Sequence, residues 1–174
     1  GEYINESFVA TFGTFTVKTI KGTPWVIDYS AAKATGYDNN TKTTTVSDGY
    51  LVSQSIDLSK SQGAYLQFQY ILRYYADNNT SYADILDQVL ITDNYTGDPS
   101  NTRWTDISNI WEQGNNWDTW YDYGINIPDE FIGKRNVVVA LHYQCGEKSA
   151  TWEVRRLLLK EGSLSISDNG LITD

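Results

Sequence analysis

The stretch AYLQFQYILRYY (Ala64 to Tyr75) constrains the fold more than any other part of the chain. Ala64, Leu66, Phe68, Tyr70 and Leu72 occupy alternate positions, with Gln67, Gln69 and Arg73 between them. Successive side chains of a strand point to opposite faces. The pattern therefore predicts a half-buried strand of an antiparallel sheet, one face on a core and one toward water. RNVVVALHYQ (Arg135 to Gln144) repeats the signal with Val137, Val139, Leu141 and Tyr143. SATWEVRRLLLKEG (Ser149 to Gly162) is a third such strand. Strict alternation places Trp152, Val154 and Arg156 on one of its faces and Glu153 and Arg155 on the other, where Arg155 is expected to pair with Glu153.

The rest of the chain reads as shorter pieces of the same kind. FVATFGTFTVKTI is β-rich, and KGTPWVIDY restarts a strand after Gly22 and Pro24. AAKATGYDNNTKTTTVSDG reads as a polar connection that ends in a turn at Asp48-Gly49. YLVSQSIDLS follows as a short strand. ILDQVLITD fits either a strand or a helical turn by period alone. No long amphipathic helical stripe occurs, and aromatic residues are 14% of the chain, a usage that favours strands. Many short strands with turn signals between them predict one β-sandwich. A chain of 174 residues buries enough surface to fold without disulfides or a structural metal.

Charge and cysteine usage exclude several classes. The formal net charge of −9 argues against nucleic acid and against anionic membrane surfaces as partners. No run of 18 apolar residues is present to span a bilayer. Cys145 is the only cysteine, so no internal disulfide forms, and a small buried hydrophobe is its expected role. One His and one Cys do not fill a zinc shell. His142 is the only histidine that a Ser-His-Asp triad might use, and no G-x-S-x-G elbow accompanies it. A glycoside hydrolase would need a special pair of carboxylates, and nothing marks one among the 22 acidic residues. The expectation is a non-catalytic protein, with a glycosidase-like enzyme as an alternative.

The stretch WTDISNIWEQGNNWDTWYDYG (Trp104 to Gly124) carries four tryptophans among amides and carboxylates. Sugars present apolar C–H faces ringed by hydroxyls, and a tryptophan face beside Asn, Gln or Asp matches both. Trp111 and Trp117 flank the turn EQGNN and are the candidates for exposure. Trp104 and Trp120 lie in strand-like runs and are expected to pack within the sandwich. The candidate ligand-binding set is Trp111, Trp117, Asn115, Asn116 and Trp120. The alternative is that all four tryptophans cover the core.

Four stretches also carry a family resemblance. AAKATGYDNN, then SDGYLVSQSIDLS, then LITDNYTGDPSNTRWTDIS and finally ATWEVRRLLL resemble, in order, the motifs of the choice-of-anchor J domain of bacterial surface proteins. Gln54 stands where that family usually has proline. The resemblance spans about residues 6 to 160. It implies a jelly-roll β-sandwich related to MAM and cleaved-adhesin modules, with ILDQVLITD as a strand. The expected organisation is one domain over residues 1–174, with its core in that span and a short C-terminal extension. The resemblance further implies an extracellular or outer-surface location in a bacterium, as in a surface lipoprotein, and a role in adhesion or carbohydrate binding. Its expected partner is a glycan or a surface protein, the alternative being a structural or protein-interaction module, and a monomer is expected. Some relatives hold a structural calcium near the two ends of the domain, which points to Glu6 and Glu153. Arg155 stands where a further acidic ligand would be, so no calcium and no other cofactor is expected.

Overall fold

The computed structural model describes residues 1–74, 76–77, 80–81, 85–108, 111, 116–167 and 170–173. Eleven strands build two antiparallel sheets: β1 (Glu2–Glu6), β2 (Thr16–Lys21), β3 (Val26–Asp28), β4 (Ala31–Ala34), β5 (Ser47–Val52), β6 (Ala64–Arg73), β7 (Leu86–Thr92), β8 (Thr105–Asp106), β9 (Tyr121–Asn126), β10 (Val138–Cys145) and β11 (Thr151–Glu161). The first sheet runs β9-β6-β11-β4-β3, with β1 beside the second half of β11. The second runs β8-β7-β10-β5-β2. The two pack face to face as a jelly-roll β-sandwich.

The alternation read from the sequence is the alternation that packs. Leu66, Phe68, Tyr70 and Leu72 of β6 and Val139, Leu141 and Tyr143 of β10 all enter one core between the sheets. ILDQVLITD is strand β7, paired with β10 from Leu86↔Gln144 to Thr92↔Val138. The centre of the core is aromatic. Trp152 is fully buried, 5.4 Å from Trp25 and 5.3 Å from Trp111 between ring centroids. Phe68 stacks on Tyr123 at 4.5 Å.

Three local readings are corrected. The AAKA run is not a polar connection but strand β4, with Ala31, Ala32 and Ala34 buried between β3 and β11. Asp48-Gly49 is not a turn but the interior of β5. The Gly49 carbonyl accepts the Trp25 indole N–H at 3.3 Å, and a Cβ at this position would meet that indole at ordinary van der Waals distance. Strict alternation fails in β11, because the register against β6 shifts between Arg155↔Gln69 and Leu158↔Gln67. The extra residue is a β-bulge. Arg156 takes it with φ +54°, exposed, and its N–H donates to the Ser7 carbonyl at 3.1 Å. Arg156 therefore leaves the Trp152 face, and Leu157 points inward in its place.

One inward position of β7 is acidic. Asp87 shares parity with Val89 and Ile91, and neither of its carboxylate oxygens has a hydrogen-bond partner. Burial pushes its pKa up from 3.8 to about 8. The folded state thus keeps a proton that the unfolded chain releases, so stability is lost as pH rises from about 4 to about 8. Asp87→Asn removes this dependence. Its stability advantage over wild type is expected to grow by ~1.4 kcal/mol per pH unit across that window, measured by urea denaturation at several pH values. A constant difference between the two proteins would contradict an unpaired Asp87.

Candidate functional site

The candidate site is a strip on the outward face of the first sheet, at the end where β6 stops and β9 begins. Outward parity on β6 belongs to Gln67, Gln69, Ile71 and Arg73, and on β11 to Glu153 and Arg155; the middle pair, Ile71 and Glu153, is buried. Gln69 is flanked by Asp122 on β9 and Arg155 on β11. Arg155 Nε donates to Gln69 Oε1 at 2.9 Å, and its guanidinium lies 3.9 Å from the Trp120 ring centroid. Four residues along β6, roughly 13 Å away, Arg73 stands 4.6 Å from the Tyr74 ring and 5.6 Å from the Trp117 ring. Tyr74 and Trp117 meet edge to face at 6.1 Å. Both rings are open to solvent, at 52% and 43% exposure. A guanidinium over an aromatic face is attracted by the ring quadrupole, so each arginine holds its ring in place.

Trp117 sits on a turn built by Asn116. The Asn116 Oδ1 accepts from the Asp118 N–H at 2.8 Å, the Thr119 N–H at 2.9 Å and the Thr119 hydroxyl at 3.1 Å. This is an Asx turn, in which a short side chain replaces a backbone acceptor. The carbonyl oxygen of Asn116 fixes the tryptophan beside it. Asn115 lies outside the described residues.

The other tryptophans trade places with their expectations. Trp111 is drawn inward. Its indole N–H donates to the Asp87 carbonyl at 2.8 Å, and its ring packs on Tyr70, Tyr123 and Trp152. Trp120 precedes Tyr121, whose ring packs on the core opposite Tyr70. Period two then turns Trp120 outward, onto Arg155. Trp104 covers the outward face of the second sheet beside Tyr50 and Tyr95, and its indole N–H donates to the Pro99 carbonyl at 2.9 Å. The sequence reading missed Arg73, Tyr74, Gln69 and Arg155 as members of the site. The signal available was RYY directly after a strand whose polar face carries Gln67, Gln69 and Arg73.

The two candidate calcium ligands are not brought together. Glu6 sits opposite Leu157, and its Oε1 accepts from the Thr14 N–H at 3.1 Å and the Thr14 hydroxyl at 3.0 Å. Glu153 lies on the outward face opposite Lys33, whose ammonium holds Asp28 at 2.6 Å. Arg155 serves Gln69 and Trp120 rather than Glu153, a correction that follows from the cross-strand register. Burial raises the Glu153 pKa, and the positive charge of Lys33 works against that rise. Among the described residues no group of three His, Cys, Asp or Glu side chains is poised to hold a metal ion.

His142 lies on the outward face of the second sheet, stacked on Tyr50 at 4.0 Å. Its Nε2 is 2.7 Å from Asp48 Oδ1 and its Nδ1 is 2.8 Å from Gln88 Oε1. The Gln88 amide N–H donates to the Asp106 carboxylate, which leaves its carbonyl oxygen to accept from Nδ1–H. Burial lowers the His142 pKa and the Asp48 carboxylate works against it. Both ring nitrogens are thus engaged, and neither is free to take a proton from a nucleophile.

No family model matches the chain, and no curated protein matches it. Solved structures do. The K1 cleaved adhesin domain of Lys-gingipain from Porphyromonas gingivalis W83 superposes with a TM-score of 0.60 at 16% identity, covering 92% of this chain and 98% of that one. The K3 cleaved adhesin domain of the same protein gives 0.56 at 17%, covering 91% and 97%. TmCBM61, solved in complex with β-1,4-galactotriose, gives 0.56 at 15%, covering 92% and 99%. The structural neighbours are therefore adhesin domains and carbohydrate-binding modules, and identities this low establish a shared fold alone. Among the described residues no helix is long and apolar enough to cross a membrane.

The burial pattern sets a stability contrast. Trp111→Ala is expected to cost ~3 kcal/mol or more, because it empties a packed aromatic position and frees a carbonyl. Trp117→Ala is expected to stay within ~1 kcal/mol of wild type. Chemical denaturation of the two variants checks the assignment of inner and outer tryptophan.

Proposed function

We propose that residues 1–174 form one non-catalytic domain of a bacterial surface or secreted protein, and that it binds carbohydrate on the Trp117 face. The observation that carries this reading is an exposed tryptophan fixed on an Asx turn, next to an exposed tyrosine and an arginine. A flat, pre-positioned ring loses little conformational freedom when it stacks on a sugar, so its affinity is not spent on ordering. Strands and their registers hold Arg73, Arg155 and Gln69, while a loop presents Trp117; a rigid scaffold with a loop-borne contact is the usual build of a recognition site. The sandwich shared with a module solved with β-1,4-galactotriose supports the same reading. No catalytic step is assigned to this face; the buried carboxylate of Glu153 on it lies opposite the cation of Lys33.

Binding to an array of plant, algal and bacterial-surface glycans is expected, and Trp117→Ala is expected to abolish it. Asn116→Ala, which unties the turn, is expected to weaken binding at least tenfold while the fold persists by circular dichroism. An array without hits, together with capture of a protein partner that Trp117→Ala leaves intact, would replace the reading with a protein-interaction module. Calcium chelation is expected to leave the melting temperature unchanged; a calcium-dependent rise would restore a metal site.

A further inference from the structure

The charge on this face narrows the saccharide. The chain has 22 acidic residues against 13 Lys and Arg, so a guanidinium has carboxylates in abundance to choose from. Among the described residues the one lysine or arginine ion pair is Lys33 with Asp28, and His142 meets Asp48 in a contact that is ionic only when the imidazole is protonated. Arg73 and Arg155 pair with none. Arg73 Nε is buried without a hydrogen-bond partner. Arg155 gives its Nε to a neutral amide, Gln69, and its guanidinium carbon lies 3.9 Å from the Trp120 ring centroid. Asp122 stands beside Gln69 on the neighbouring strand, yet it makes no ion pair with Arg155.

Each guanidinium therefore lies against an aromatic ring, and neither makes an ion pair with a carboxylate among the described residues. A cation in that condition gains most from an anion brought from outside, because a charge-assisted contact is strengthened where water is already excluded. The planar fork of arginine also matches carboxylate and sulfate oxygens in a bidentate way. The two cations lie on one face, roughly 13 Å apart along β6, and each stands next to a tryptophan ring.

We propose that the ligand of this face is an acidic saccharide, bearing carboxylate or sulfate groups, with its anions on Arg73 and Arg155 and its ring faces on Trp117 and Trp120. This rests on the carbohydrate-binding reading of the same face. The overall charge of −9 does not forbid it. At physiological ionic strength charges beyond a Debye length of about 8 Å are largely screened, whereas partly buried contacts are screened much less.

The test is calorimetric titration of the whole chain with three probes: oligogalacturonate for carboxylate, sulfated galactan oligosaccharides for sulfate, and β-1,4-galactotriose as the neutral sugar. At least one acidic probe is expected to bind tenfold or more tighter than the neutral one, and the two acidic arms tell carboxylate from sulfate. Arg73→Gln and Arg155→Gln are each expected to reduce the acidic-over-neutral ratio about tenfold, the loss of one charged hydrogen-bonded contact. Arg155→Lys keeps the charge without the planar fork; it is expected to retain part of that ratio, and serves in place of the Gln variant if that one unfolds. Equal affinity for neutral and acidic probes, or Gln variants that leave the ratio unchanged, would overturn the acidic ligand while keeping carbohydrate binding. Failure of all three probes and of the glycan array would overturn both.

Discussion

One extra residue in β11 holds the sandwich together. The strand pairs with β6 along its whole length, with β4 over its first half and with β1 over its second. Both halves bury side chains in the same core, Trp152 and Val154 before the bulge and Leu157 and Leu159 after it. Period two does not allow this in a regular strand. A shift of one position would send either half toward water. The left-handed Arg156 absorbs the mismatch, and its N–H, left out of the ladder to β6, finds the Ser7 carbonyl after β1. The same phase fixes Arg155 outward, over Trp120. The bulge thus sets both the core and the outward face on which the candidate site lies.

The aromatic residues divide into two populations with different work. Trp152, Trp25, Trp111, Phe68 and Tyr123 fill the interior, where large rings bury much area and their N–H groups mostly reach carbonyls, as Trp25 and Trp111 do. Trp152 is the exception, its indole nitrogen without a partner, and Asp87 is another buried polar group left unpaired. Both lie where the sheets meet Trp111. This end of the core therefore gives up stability that a wholly apolar interior would keep. The second population, Trp117, Trp120 and Tyr74, stands outside on arginine supports. Those supports hold the rings by cation–aromatic contact rather than by burial, which keeps ring surface in water.

The alternation in AYLQFQYILR and in VVVALHYQ was legible because one set of alternate positions in each strand enters the main core; the expected wet face was not, since the outward Ile71, Val138 and Ala140 are buried as well, the latter two under Tyr95 and Trp104. The candidate site was legible only in part. The Trp104 to Gly124 stretch announces a cluster of rings, but a list of tryptophans does not say which face the core. Trp111 turned inward because the Asp87 carbonyl and the aromatic core receive it. Trp120 turned outward because the pairing of Tyr121 with Tyr70 fixes the parity of β9. The role of Asn116 in building the turn under Trp117 shows only in the structure. Arg155 looked like the partner of Glu153, two residues away on the same strand, but the cross-strand neighbour Gln69 is nearer than the next side chain along the strand.

The sequence by itself determined the two-faced strands, the sandwich they demand and the segment that carries the exposed ring. Those follow from local period and composition, which any chain reads within a few residues. Only the tertiary structure decided that Arg73 and Tyr74, at the end of β6, meet Trp117, and that Arg155 meets Trp120. These partners come from three segments separated by tens of residues. Register, the bulge and the order of strands in the first sheet bring them onto one face, and no local pattern encodes that order.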